Sequence, residues 1–471
     1  MIRSTILRAS AVYLALTATA AIAADLRVGM AVEDITPPVG MRVGGNYVSP
    51  ISTGVHDPLV AKAIVFEQGG VKAALVICDL TGISLELSTL ARKLASEATG
   101  IPTSQIIVSA THTHGAPQYA GPIRDLEHAN ELAAKGSDRH EPVDYTATTA
   151  SGCARAITKA NASLKPASVE VGAVDQPGLA FNRRFHMKNG YVRFNPGKKN
   201  PEIVRVAGPV DIELPILVVR DAVGGKPRGS LVAFAMHVAT FGGPEWGADF
   251  PAHLETGLRK EFGPEFISIF GEGTAGDINH IDVSSDAPQS SATEPGRIGA
   301  ALSATVLKAI PDLKPVEAAS LAVRSTVVKL PLQEVTDEQV ARAVDVFYRK
   351  VSPTPDFYLL VESHRILETR DRRKQFGDAE PAEVQAIRIG ADTAIVSLPH
   401  EVFVELGTAI KKASPFKHTF VLSLAEDADF YVPTRKAFAE GSYEVVTCPL
   451  KPGCGELLVD TAVRLLKDLK P

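Results

Sequence analysis

Only four of the 471 residues are cysteine and one is tryptophan, which excludes a dense disulfide framework and any cysteine-based zinc knuckle. Cys448 and Cys454 flank Pro449, Pro452 and Gly453, close enough for a loop-clamping disulfide in an oxidising compartment. Cys78, ending an apolar strand, and Cys153, in an alanine-rich helix, read as buried fillers. Nothing resembles a linker: no Pro/Ser/Gly tract, long charge block or repeat interrupts the chain, so one large, elaborated domain is expected. Positive charge is not in excess. Lys and Arg number 49 against 54 Asp and Glu, a net charge of -5, so the basic stripe of a nucleic-acid binder is missing. Three motifs are also absent: the G-x-S-x-G nucleophile elbow, the His-Glu-x-x-His zinc helix and the lysine-bearing Walker A loop. The easiest serine-hydrolase, metallopeptidase and ATP-binding readings fall with them.

Long apolar runs are confined to the first residues. Arg3 and Arg8 precede an apolar run over 9–22, and Ala21-Ile22-Ala23 supplies a small-x-small cleavage pattern. That order predicts a secretory signal peptide over 1–23, and the run is short for a membrane span. The mature chain, 24–471, is expected to be exported, periplasmic or secreted, with no integral membrane segment.

Within that chain, apolar segments predict strands over 60–66, 71–78, 106–108, 216–219, 231–236, 266–270, 386–389, 393–398 and 418–424. Helices are predicted over 85–98, 145–160, 250–262, 295–310 and 457–466, with another carrying Phe403, Leu406 and Ile410 on one face. A further helix, 336–348, opens with Thr336 and Gln339 as a capping box. Many strands are wholly apolar, so their sheet is covered on both sides. The expected class is α/β: a large single catalytic domain with a mixed β-sheet core flanked by helices.

Polar residues mark the ends of six strands. Asp79 follows the 71–78 strand, Thr111 to His114 follow 106–108, and His237 follows 231–236. Gly271 to Asp277 follow 266–270, Glu401 follows 393–398, and Asp427 with Asp429 follow 418–424. Ligands gather at the C-terminal ends of strands in α/β sheets, so convergence on one cleft is expected. His112 and His114 face the same side if extended, whereas a turn at Gly115 and Pro117 separates them. Imidazoles suit zinc, but a metal-free hydrogen-bonded pair is the plain alternative. A core histidine is the plain reading of His237, and a helix-start carboxylate that of Glu401. The small-residue segment from Gly271 to Asn279 suits either an anion-binding loop or a tight turn. Arg183 and Arg184 suit either an anionic substrate group or solvated surface charge.

The ordered motifs Asp34-Ile35-Thr36-Pro37-Pro38, Gly54-Val55-His56-Asp57-Pro58, Ser109 to Gly115, Asn182-Arg183-Arg184, Phe234-Ala235-Met236-His237, Gly276-Asp277, Leu398-Pro399-His400-Glu401 and Tyr431-Val432-Pro433-Thr434 run through nearly all of the mature chain. Together they resemble the neutral/alkaline non-lysosomal ceramidase family, in its large N-terminal catalytic domain. The resemblance implies an α/β domain and a single zinc held by His112, His237, Glu401 and Tyr431, with His114 as a catalytic histidine near the scissile amide. Two departures stand out. Asn279 occupies the position of a family serine with a catalytic role, and asparagine does not normally act as a nucleophile. The family's C-terminal Ig-like domain is not expected within 24–471.

These readings lead to a zinc-dependent hydrolase of an amide or related acyl bond. His114, Asn279 and Asp277 are expected in catalysis, and Arg183, Arg184, Asp249, His253 and Gly276 in binding a small-molecule or lipid-like substrate. The alternatives are a zinc hydrolase of a polar or carbohydrate-derived substrate, and a noncatalytic exported binding protein.

Overall fold

The wholly apolar strands are apolar because two sheets pack on each other and helices cover their outer faces. The computed structural model describes residues 26–470 apart from 48, 224, 290, 317–320 and 349–355; the expected leader lies outside them. The larger sheet runs in the order Ile267–Glu272, Pro227–Phe234, Glu213–Asp221, Lys165–Asp175, Arg27–Asp34, Val60–Gln68, Val71–Cys78, Ile106–Ala110, with Lys314–Pro315 added beside Lys165–Asp175. The smaller sheet runs Ala322–Pro331, Ala379–Ile389, Thr393–Ser397, His418–Leu422.

Alternation of side chains along each strand decides what faces what. In Val71–Cys78, Ala73, Leu75 and Ile77 point into the space between the sheets, where they meet Ile387, Ile395, Phe420 and Leu422. Ala74, Val76 and Cys78 point the other way, onto helices Leu85–Thr99 and Tyr145–Ala162. Phe250–Phe262 and Glu294–Ala309 cover the far end of the same sheet. Val404–Ala413 and Cys454–Leu469 cover the smaller one. Each buried Leu, Ile or Phe contributes roughly 1.5–3 kcal/mol relative to exposure, so the inter-sheet layer is a main source of cohesion.

The mixed sheet has a particular order. Within the two large sheets three strand pairs are parallel: Pro227–Phe234 with Ile267–Glu272, Val71–Cys78 with Ile106–Ala110, and Thr393–Ser397 with His418–Leu422. Each is the edge pair of its sheet, and the helices Phe250–Phe262, Leu85–Thr99 and Val404–Ala413 make the respective crossovers that parallel pairing requires. The long strands between them pair antiparallel. These six parallel strands are the six whose ends carry the polar residues noted in the sequence.

Local expectations translate directly. Ser84 caps the Leu85–Thr99 helix and Gly100 ends it at φ 71°. The Thr336–Gln339 capping box opens Asp337–Phe347 with both of its hydrogen bonds formed. All four cysteines are free and buried, so no disulfide clamps Cys448 to Cys454; the Cys454 thiol instead approaches the Pro331 carbonyl. Cys78 and Cys153 fill the sheet–helix interface with sulfurs 3.2 Å apart. Among the described residues no helix is long and apolar enough to cross a membrane.

Candidate metal centre

Each of the three parallel pairs delivers donor groups to one point. Ile106–Ala110 runs into His112, whose backbone enters the left-handed region at φ 71°. That conformation costs a non-glycine residue on the order of 1–2 kcal/mol and rotates His112 away from His114. The two rings meet at 89° with centroids 5.0 Å apart. His400, directly before Glu401, is also left-handed at φ 62°. Backbone strain of this kind concentrates where side-chain placement matters more than comfort.

His112 and His237 lie 4.5 Å apart, centroid to centroid. The Nδ1 of His112 lies 2.6 Å from the Thr81 carbonyl and that of His237 lies 2.8 Å from the Ala275 carbonyl. Both rings therefore hold a proton on Nδ1 and turn Nε2 inward, the arrangement that orients metal-ligating histidines. Glu401 Oε2 lies 3.3 Å from one Nε2 and 3.1 Å from the other. The Tyr431 hydroxyl is 3.5 Å from His237 Nε2. His112 Nε2 and Glu401 Oε2 have no aligned hydrogen-bond partner despite their closeness. Glu272, from the end of Ile267–Glu272, is 1 % exposed, and its Oε1 is also unpartnered. His112, His237 and Glu272 each offer a donor atom within 4.8 Å of the others.

Charge explains why these orphans gather. Burial alone would suppress protonation of His112, but Glu272 and Glu401 outweigh it and lift the imidazole to about 9. Burial, then the Arg183 and His112 charges, drive His237 down to about 3. Burial raises Glu272 to about 8. Burial would raise Glu401 as well, yet His112 and His237 hold it well below the usual carboxylate range. Two buried carboxylates thus compete for one positive charge, and the donor set fits a divalent cation of the zinc class.

A cleft of about 170 Å³ opens over this point, lined by His112, His114, Glu401 and Tyr431 on its floor. His114 presses against Gly45, where an added Cβ would come within 2.6 Å of Nδ1. Burial and the His112 and His237 charges hold His114 well below the usual histidine range, so it is a neutral imidazole. The walls add Tyr47, His364, Glu368, Asp429 and Tyr443, which sequence reasoning did not single out, apart from Asp429 at its strand end.

The other expected residues do different work. Arg183 lies beside the centre, its Nη1 3.1 Å from His237 Nε2, but it is anchored to Glu444 at 2.9 Å and lies over the Tyr431 ring. Arg184 is 2 % exposed and paired with Glu444 and Glu440, a buried cation away from the cleft lining. Asp249 caps Phe250–Phe262 and accepts from the Thr240 and Phe241 amides. His253 packs against Gly299 between helices. Asp277 accepts from Asn182 and from the Val404 amide, and Asn279 donates to Asn195. None of these lines the cleft. The small-residue loop does not offer its amides there either: Gly273, Gly276 and Ile278 donate to Phe234, Val402 and Ala275. Instead it presents the Glu272 carboxylate and the Ala275 carbonyl to His237, the opposite polarity to an anion site.

Residues 26–244 match the family model described as neutral/alkaline non-lysosomal ceramidase, N-terminal. Over that segment, just under half of the chain, the sequence is similar to the neutral/alkaline ceramidases. Neutral ceramidase of Pseudomonas aeruginosa is 27 % identical over 296 residues, 58 % of this chain and 40 % of that protein. Neutral ceramidase of Drosophila pseudoobscura is 33 % identical over 99 residues, 20 % of this chain and 14 % of that protein. These matches thus span well under half the length of either relative. The crystal structure of the Pseudomonas aeruginosa ceramidase superposes with a TM-score of 0.70 at 19 % identity, covering 95 % of this chain and 75 % of that one. The chain shares that fold.

Proposed function

We propose that this protein is a zinc-dependent hydrolase of an amide or related acyl bond, with His112, His237, Glu401 and Tyr431 holding the metal. The observation that carries this reading is the meeting of the unpartnered His112 Nε2 and Glu401 Oε2 with His237 Nε2, within 3.3 Å, on the cleft floor. Zinc held there supplies Lewis acidity toward an acyl carbonyl and makes water acidic enough to react near neutral pH. The chain's own groups do the rest. The Thr81 and Ala275 carbonyls fix both imidazoles in the ligating tautomer. His114, neutral and facing the cleft, takes a proton from water and returns it to the leaving group. Arg183, locked by Glu444, keeps a positive charge beside the centre where negative charge develops in an acyl-transfer transition state. Export through the leader at 1–23 to the periplasm or medium belongs to the same reading.

Chelated and zinc-reloaded protein assayed on N-acyl amides, including a short-chain ceramide, then on esters and glycosides, is the direct test. Turnover of an acyl substrate only after reloading supports the proposal. Zinc uptake with no metal-dependent turnover on any of them rejects it.

A second substrate reading has its own support. Glu368 and Asp429, each with one oxygen paired to Arg372, stand in the cleft wall beside His364, and their second oxygens suit hydroxyl or amino donors of a polar, carbohydrate-derived acyl compound better than a hydrocarbon chain does. Relative turnover of the ceramide and an N-acylated amino sugar separates the two.

A further inference from the structure

We propose that Glu272 is a second carboxylate ligand of the metal centre, giving it two imidazoles and two carboxylates besides Tyr431. This role rests on the metal-centre reading above and goes beyond the four ligands named there. Glu272 is the last residue of its strand, set between Gly271 and Gly273. The glycine side leaves no room for a side chain: a Cβ at Gly271 would lie 2.6 Å from Leu422 of the smaller sheet, and one at Gly273 only 3.0 Å from the Ala235 backbone. Strand alternation sends the Glu272 side chain the other way. Its carbonyl accepts from the Ser423 amide, pinning the strand end to the smaller sheet.

The carboxylate that emerges is 1 % exposed, its Oε1 has no hydrogen-bond partner, and that atom lies 3.9 Å from the His237 ring. A buried carboxylate without a donor demands either a cation or a proton. The guanidinium nearest the centre does not serve it: Arg183 gives Nε to Glu444 and Nη2 to the Gly276 carbonyl. The His237 Nδ1 proton already goes to Ala275. His112, His237 and Glu272 offer donor atoms within 4.8 Å of one another, so an ion held by the two imidazoles lies near the remaining orphan. The additional oxygen makes the donor set richer in hard ligands than a two-histidine, one-carboxylate site, which favours five-coordinate ions and tolerates manganese or cobalt beside zinc.

The test uses the full chain, Co2+ and Zn2+ alone as probes, and the variants E272Q and E401Q. Glu272→Gln keeps the shape and removes the charge, so two effects of opposite sign are expected. Affinity for both ions, measured by chelator competition, falls at least about tenfold, and the visible absorption of the cobalt-loaded protein changes. In chelator, where the buried carboxyl group has no cation and its Oε1 has no hydrogen-bond partner, the same variant melts higher than the parent. X-ray absorption on zinc-loaded parent protein, which needs no variant to fold, is expected to show at least four light-atom ligands with carboxylate oxygen from two residues. Unchanged affinity and cobalt spectrum in E272Q, with E401Q weakened, overturn the Glu272 role alone. A parent chain that binds neither ion overturns the metal reading together with it.

Discussion

Two buried polar clusters touch in sequence at His400 and Glu401, and they are built to opposite ends. Around Arg372, every carboxylate is paired with the cation, and only His400 Nδ1 lacks a hydrogen-bond partner. Its guanidinium pairs with Glu368, with Glu380 at 2.9 Å, with Asp427 at 2.8 Å and with Asp429 at 2.6 Å, while His400 Nε2 lies 2.8 Å from Glu380. The Phe430 ring closes over it. Around His112 and His237 the inventory is similar, histidines and carboxylates with an arginine alongside, yet His112 Nε2, Glu272 Oε1 and Glu401 Oε2 lack partners. Folding tolerates the first cluster because it is saturated; it tolerates the second only if something else completes it. The group formed by His128, Asp138 and Glu141 behaves like the first, since Arg42 and Arg124 already engage both carboxylates. Saturation, rather than the residue types present, separates scaffolding from chemistry here.

Breaking the open cluster has the largest expected effect on function. His112→Ala together with His237→Ala removes both imidazoles, so metal content falls below one ion per ten chains and acyl turnover drops more than about a thousandfold. Mass-spectrometric metal analysis and initial rates on the same preparation check this. The closed cluster should respond in the other currency. Arg372→Met takes the cation from three buried carboxylates and the half-buried Asp429 and destabilises the fold by about 3–5 kcal/mol, read from urea unfolding. A destabilisation under 1 kcal/mol would mean that saturation at Arg372 is cosmetic. Between these lies His114→Asn, which leaves metal content intact and lowers kcat about a hundredfold or more, the usual worth of a positioned proton carrier.

How much of this contrast is legible in the sequence follows from what sequence periodicity can report. The six strand ends carrying polar residues are visible because apolar runs stop abruptly at Asp79, Thr111, His237, Gly271, Glu401 and Asp427. That these six are the parallel strands, joined in pairs by helical crossovers, follows from topology and leaves only a faint mark. Lys165–Asp175 and Ala322–Pro331 alternate with exposed polar residues and dissolve into the background of loops. Phe357–Phe376, which brings His364 and Glu368 to the cleft, is polar around most of its circumference because its partners are themselves charged. Glu272 shows the deeper difficulty. In sequence it is one acid in a run of small residues, and the glycines around it suggest backbone chemistry. Only tertiary packing reveals that they thin one face so that the carboxylate occupies the other. Asn279 illustrates the converse: a motif position attracts attention, while its amide is spent on Asn195.

The smallest effect separates the cleft wall from its floor. His364 lies in the wall, its ring edge against Tyr47 at 5.5 Å, and burial lowers it to about 4. An unfolded histidine titrates near 6.5, so between pH 6.5 and 4 the unfolded chain binds a proton that the folded chain refuses. Stability therefore rises with pH across this window. The contribution is fully present above 6.5 and is lost as pH falls toward 4. Asp79 and Asp277, which burial raises to about 6, give the opposite slope from roughly pH 4 to 6, so the parent's profile is a composite. The difference between parent and His364→Gln isolates the histidine: the variant's urea midpoint should converge on or exceed the parent's at pH 4.5 and show no such gain at pH 7.5. A difference that stays constant with pH would place His364 among ordinary packing contacts. It would also remove titration as a distinction between the wall and the saturated cluster that Glu368 shares with it.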